Sequence, residues 1–73
     1  MARAAVIGEA TRTAGFALAG ATVLSAETQE EARAVWLSLP ADVAVVVVTP
    51  RAEAWLSEAL RSRHDVLSVV MPP

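Results

Sequence analysis

The side chains able to carry chemistry are few and dispersed. Nucleophilic catalysis would draw on His64, the single histidine, which stands among arginines near a helix end with no serine or acid in a triad order. It reads as a solvated helix-terminal residue. The absence of cysteine removes thiol catalysis, thiolate metal sites and disulfides. No His or carboxylate set has the convergent spacing of a metal site. Glu30 and Glu31 read instead as acids that suit the first turn of a helix. Phosphate binding fares no better, because Gly8, Gly15 and Gly20 are too widely spaced for a dinucleotide-binding turn, and the chain has no lysine to complete a P-loop. Phosphoacceptor chemistry of the receiver type would want clustered acids after the first strand, an aspartate after the third and a lysine later on. Thr49 occupies the acceptor place. No catalytic residue, cofactor or metal is therefore expected, and docking against a partner becomes the leading kind of function.

The elements around these residues alternate. Arg3 to Gly8 is a short apolar run ending in glycine, as a buried strand does where the chain turns. Thr11 and Thr13 offer hydroxyls to cap a short first helix, Ala14 to Ala19, that Gly20 closes. Ala21 to Ser25 reads as a second strand, placed at an edge by its polar Thr22 and Ser25. Thr28 and Glu31 form a capping box, and Ala32, Val35, Trp36 and Leu39 recur at helical spacing until Pro40. Val43 to Val48 is β-branched almost throughout, the pattern of a central strand covered on both faces. Thr49 and Pro50 then open a third helix with Ala52, Trp55, Leu56, Ala59 and Leu60 inward. Arg61, Arg63 and His64 complement its dipole at the C-terminal end. Val66 to Met71 is a last strand, stopped by Pro72 and Pro73.

The pattern βαβαβαβ calls for an α/β fold with a parallel sheet and right-handed crossovers. Placing the two most apolar strands centrally gives the order 2-1-3-4, a small Rossmann-like or flavodoxin-like arrangement of four strands and three helices in one domain over residues 1–73. Because the winding reverses after the second strand, the first helix must cover one face alone while the other two share the opposite face. Trp36 and Trp55 lie on the stripes of those two helices, and core packing or a binding hot spot at the rim would each use them. The final strand carries no charge, which is unusual for an exposed edge and makes it a candidate docking feature.

The charge balance sets limits on partners. Eight acidic residues against six scattered arginines, with three aromatics, form no basic stripe for nucleic acid. The valine run is too short to span a bilayer, and no secretory signal opens the chain, so a soluble, cytoplasmic protein without membrane insertion is expected.

The stretch Val6-Ile7-Gly8-Glu9, followed by Thr13-Ala14-Gly15-Phe16-Ala17-Leu18-Ala19-Gly20, resembles the F subunit of the V-type and archaeal-type rotary ATPases. The likeness continues through Thr28-Gln29-Glu30-Glu31-Ala32, the valine-rich strand ending at Thr49, and the proline after the last strand. The resemblance implies a noncatalytic central-stalk subunit, peripheral to the membrane, in a complex that couples ATP hydrolysis or synthesis to proton or sodium ion transport. Its partners would be the coiled-coil shaft protein of the stalk, the D subunit, and other stalk and head subunits. A stand-alone receiver-like regulatory module without phosphoacceptor chemistry is the alternative. Ala17 stands where the family often has a basic or polar residue, and the family's usual C-terminal helix is expected to be absent past Pro73. The expected interface comprises Gly15, Phe16, Leu18, Ala19 and Gly20 of the first helix together with Val69 and Met71 of the final strand edge. Gly15 and Gly20 also have a structural reading, close packing of helix on sheet and a helix cap.

Overall fold

The computed structural model describes residues 3–63 and 65–72, with the main chain alone at residues 17–19. His64 and Pro73 lie outside the described residues, as do the side chains of Ala17, Leu18 and Ala19. Strands β1 (Arg3–Gly8), β2 (Thr22–Ser25), β3 (Val43–Val48) and β4 (Leu67–Val70) pair in parallel in the order β2-β1-β3-β4. The connections carry α1 (Ala10–Thr13) with a following 3-10 segment (Ala14–Ala19), then α2 (Gln29–Leu37) and α3 (Pro50–Ser62). The fold class and the 2-1-3-4 order read from the sequence are those observed.

Local chemistry accounts for most boundaries. Thr28 is the N-cap of α2 and its hydroxyl accepts from the Glu31 N–H at 3.1 Å. Glu31 reaches back, but to the Glu27 N–H at 2.8 Å rather than to that of Thr28. Thr49 caps α3 by accepting from the Ala52 N–H at 3.2 Å, with Pro50 in the first turn. Gly20 closes the 3-10 segment at φ +85°, the backbone region in which a glycine is least strained.

Two boundaries differ from the sequence reading. The first helix begins at Ala10 with Glu9 as its N-cap and no side-chain cap, so Thr11 and Thr13 are not caps. Thr13 lies inside the turn, fully buried, and its hydroxyl donates to the Glu9 carbonyl at 3.1 Å. The chain then tightens to 3-10 geometry across Ala14–Ala19, a run with few large side chains to hold a wider helix against the sheet. The second difference is that α2 ends at Leu37 with Ser38 as C-cap, before Leu39.

The core lies on one side of the sheet. Ala5 and Ile7 of β1 and Val46 and Val48 of β3 pack with Ala32 and Trp36 of α2 and Ala52 and Leu56 of α3, all of them buried. Val6 points to the other face and is also buried, with α1 and the 3-10 segment as the neighbours available to cover it. As the winding argument requires, α2 and α3 pack together on one face.

Candidate partner interface

Strand pairing places side chains in rows across the sheet, because residues opposite one another point to the same face. One row runs Val23, Val6, Val47, Val69, and the next contains Ala4, Val45 and Leu67. Along these rows cover thins from the β1 side toward β4. Val6 is 1% exposed, Val45 and Val47 are half-buried, Val69 is 45% exposed and Leu67 is 64% exposed. The main contacts of α1 and the 3-10 segment run to β1 and β2, so the β3 and β4 half of this face is an open apolar strip. The expectation that the valine run is covered on both faces therefore holds fully for one face only.

The 3-10 segment borders the strip. Phe16 is half-buried there. Gly15 is exposed, has no positive φ, and a Cβ built on it would meet nothing within 4 Å. Close packing of helix on sheet therefore does not explain Gly15, which corrects that reading of the motif. Gly20 does serve as a cap, and open space surrounds its Cβ position as well. Leu18 and Ala19 are expected interface residues whose side chains fall outside those described. Of the two expected at the last strand, Val69 lies on the strip, and Met71 is half-buried with its N–H donating to the Val48 carbonyl at 2.7 Å.

Beyond the strand ends, the loops are tied together by polar side chains that sequence reasoning did not pair. Thr49 is fully buried, and its hydroxyl donates to Glu9 Oε1 at 2.5 Å while accepting from the helix N–H of Ala52. Its hydroxyl is thus enclosed where a phosphoacceptor would need exposure. The Glu9 carboxyl is held below its ordinary value of 4.5, first by the Thr49 hydrogen bond, then by its own backbone N–H, with smaller help from the charges of Arg51 and Arg12. Glu27 accepts from the Ala10 N–H at 2.9 Å, and Arg12 donates to the Pro72 carbonyl at 2.8 Å. Gly8 is required here for space, since a Cβ on it would collide with the Thr49 side chain. These groups fasten the α1 loop, and with it the 3-10 segment, to β2, β3 and the end of β4.

On the opposite side, a groove of about 420 Å³ runs between α2 and α3, lined in part by Trp36, Leu37, Trp55, Leu56 and Arg33. Trp36 is buried with the Arg63 guanidinium 5.6 Å above its ring, and Arg63 in turn holds Asp65 through bonds of 2.8 and 3.0 Å. Trp55 is half-buried at the groove wall. Among the described residues, no group of three or more His, Asp or Glu side chains could hold a metal ion. No helix is long and apolar enough to cross a membrane.

Residues 4–72 match the family model described as ATP synthase (F/14-kDa) subunit. The chain belongs to that family. The match takes in every strand and helix of the fold save the first residue of β1, and it is in keeping with the resemblance to the F subunit of V-type and archaeal-type ATPases. No curated protein and no solved structure matches the chain. Membership in the F/14-kDa family makes the chain a component of an ATPase complex, and therefore a protein with partners in that complex. Among its described residues, the open strip of β3 and β4 beside the 3-10 segment is the broadest apolar surface available to one.

Proposed function

We propose that the chain is a noncatalytic subunit of the rotating central stalk of a V/A-type ATPase, docked on the coiled-coil shaft subunit and coupling ATP turnover to proton or sodium ion movement. It acts as one domain, peripheral to the membrane, with further contacts to other stalk and head subunits. The observation that carries this reading is the family match over residues 4–72. The geometry supports it by offering a surface. Half of one sheet face, Val45, Val47, Leu67 and Val69, is apolar and uncovered. A coiled-coil shaft presents a ridge of side chains along a helix, which such a shallow strip can receive.

Gly15 gives the proposal a sharper edge. Neither backbone conformation nor internal packing calls for glycine there, so the missing side chain serves a close approach from outside. Phe16 stands next to it as an aromatic anchor. The proposed docking surface thus joins the 3-10 segment to the strip, with Leu18, Ala19, Gly20 and Met71 as flanking positions. Glu9, Thr49 and Arg12 act as positioning residues, because they fix the loop that carries the segment.

The test is co-expression with the cognate shaft subunit, comparing the unaltered chain with Phe16→Asp. A stable complex that Phe16→Asp disrupts, in a variant that keeps its circular dichroism spectrum and melting temperature, supports the proposal. A chain that stays alone beside its shaft overturns the stalk reading. A folded Phe16→Asp chain that binds undiminished removes the 3-10 segment from the interface.

A further inference from the structure

The outer edge of β4 has a hydrogen-bonding pattern that can be read residue by residue. Met71 donates its N–H inward to Val48. In a strand the N–H and C=O of one residue point to the same side and alternate along the chain, so Leu67 and Val69 also bond inward to β3. The outward groups are those of Val66, Ser68 and Val70, and β4 is the edge of the sheet. None of the usual protections is present: the strand has no charge, no internal proline and no bulge against β3, and Leu67 to Val70 are all exposed.

We infer that two copies of the free chain pair through their β4 edges, antiparallel and in one register centred on Ser68. A two-fold axis perpendicular to the sheet keeps like faces together, so paired residues must share parity, and the outward groups must meet outward groups. Centring on Ser68 satisfies both conditions. Ser68 then faces the second copy's Ser68, and Val66 faces the second copy's Val70 in both directions, so every outward N–H and C=O from Val66 to Val70 is bonded. Shifting the centre by two residues, to Val70, would set Val66 and Ser68 against positions beyond Met71, where Pro72 has no N–H to give.

The side chains agree with this register. Leu67 comes to lie opposite the second copy's Val69, so the two most exposed residues of the open strip cover one another and the strip becomes continuous across the axis. Charge agrees as well. Arg12 lies at the C-terminal end of β4 through its bond to Pro72, and Asp65, held by Arg63, lies at the N-terminal end. Antiparallel pairing brings each to the opposite charge of the other copy. The pairing covers part of the surface assigned above to the shaft, so self-association and docking compete; the dimer itself stands on the edge geometry alone.

Sedimentation equilibrium of the isolated chain over a concentration series is expected to show a monomer and dimer in exchange. Ser68→Pro removes an outward N–H without touching the β3 ladder, and should leave a folded monomer at every concentration. Ser68→Cys gives the chain its only thiol, at a position where hydrogen-bonded antiparallel partners stand about 5.5 Å apart between Cα atoms, within disulfide reach. Under mild oxidation it should form covalent dimers faster than Ser38→Cys, which lies on the far end of α2. A monomer at all concentrations overturns the inference. So does a dimer that survives Ser68→Pro, or a Ser68→Cys chain that cross-links no faster than Ser38→Cys.

Discussion

Val46 and Val48 are fully buried, while Val45 and Val47, the same residue type one step along the same strand, are only half-buried. The difference lies entirely in what covers each face of β3. Two helices seal the first face with Trp36 and Leu56, whereas the second receives one short turn and a 3-10 segment that reach β1 and β2 but stop short of β4. Burial on one side builds stability, and its absence on the other leaves apolar surface for a partner to cover. In a chain of this size the two roles divide cleanly between the faces.

Substitutions on the two faces should separate these roles. The largest effect on stability is expected for Leu56→Ala on the sealed face, about 2–5 kcal/mol of unfolding free energy by urea denaturation, because a fully buried side chain leaves a cavity there. Gly8→Ala should follow at about 1–3 kcal/mol, since its Cβ would strike the Thr49 methyl and the displaced threonine would release both Glu9 and the α3 cap. On the open face, Gly15→Ala is expected to leave stability unchanged or raise it by up to about 1 kcal/mol, because open space surrounds the new methyl and alanine restricts the unfolded chain. Its effect should appear instead as weaker binding to the shaft. A marked loss of stability in Gly15→Ala would erase the contrast between the faces.

The smallest expected effect concerns pH. The folded state holds the Glu9 carboxyl below 4.5, so the unfolded state binds its proton first, and the stabilisation it brings is present above that value. That stabilisation is lost as pH falls through the lower folded value. Glu9→Gln should therefore flatten the acid limb of the melting temperature against pH below about 4.5 while leaving the limb near neutrality shallow, as thermal melts across the series would read. An acid limb identical in the two chains would mean that the Thr49 link does not hold the carboxylate.

Much of this was legible in the residues. The valine run and the glycine-terminated first strand identify the central strands, and parallel handedness then dictates the helix layers, because both follow from local patterns and chain geometry. The 3-10 tightening of Ala14–Ala19 was not legible, since alanine and glycine fit either helix and packing decides between them. Neither was the Glu9 and Thr49 bond, which joins residues 40 positions apart through a sheet register that no local pattern encodes. The same register creates the open strip. Val69 was singled out by its place on a bare edge, but Val45, Val47 and Leu67 join it only once β3 and β4 are aligned. The family motif pointed to the 3-10 segment, and the empty space around Gly15 shows which of its two readings the fold leaves standing.

The comparison of faces is tested most directly by measuring shaft affinity for two charged substitutions on opposite sides of the molecule. Val69→Glu places a carboxylate on the open strip, and Leu37→Glu places one on α2, where the leucine is already 85% exposed. Both chains should fold with the melting temperature of the parent. Titration against the isolated shaft subunit is predicted to show Val69→Glu binding far more weakly than the parent and Leu37→Glu binding as the parent does. Parent-like binding by Val69→Glu together with loss of binding by Leu37→Glu would put the interface on the helical face and contradict the account.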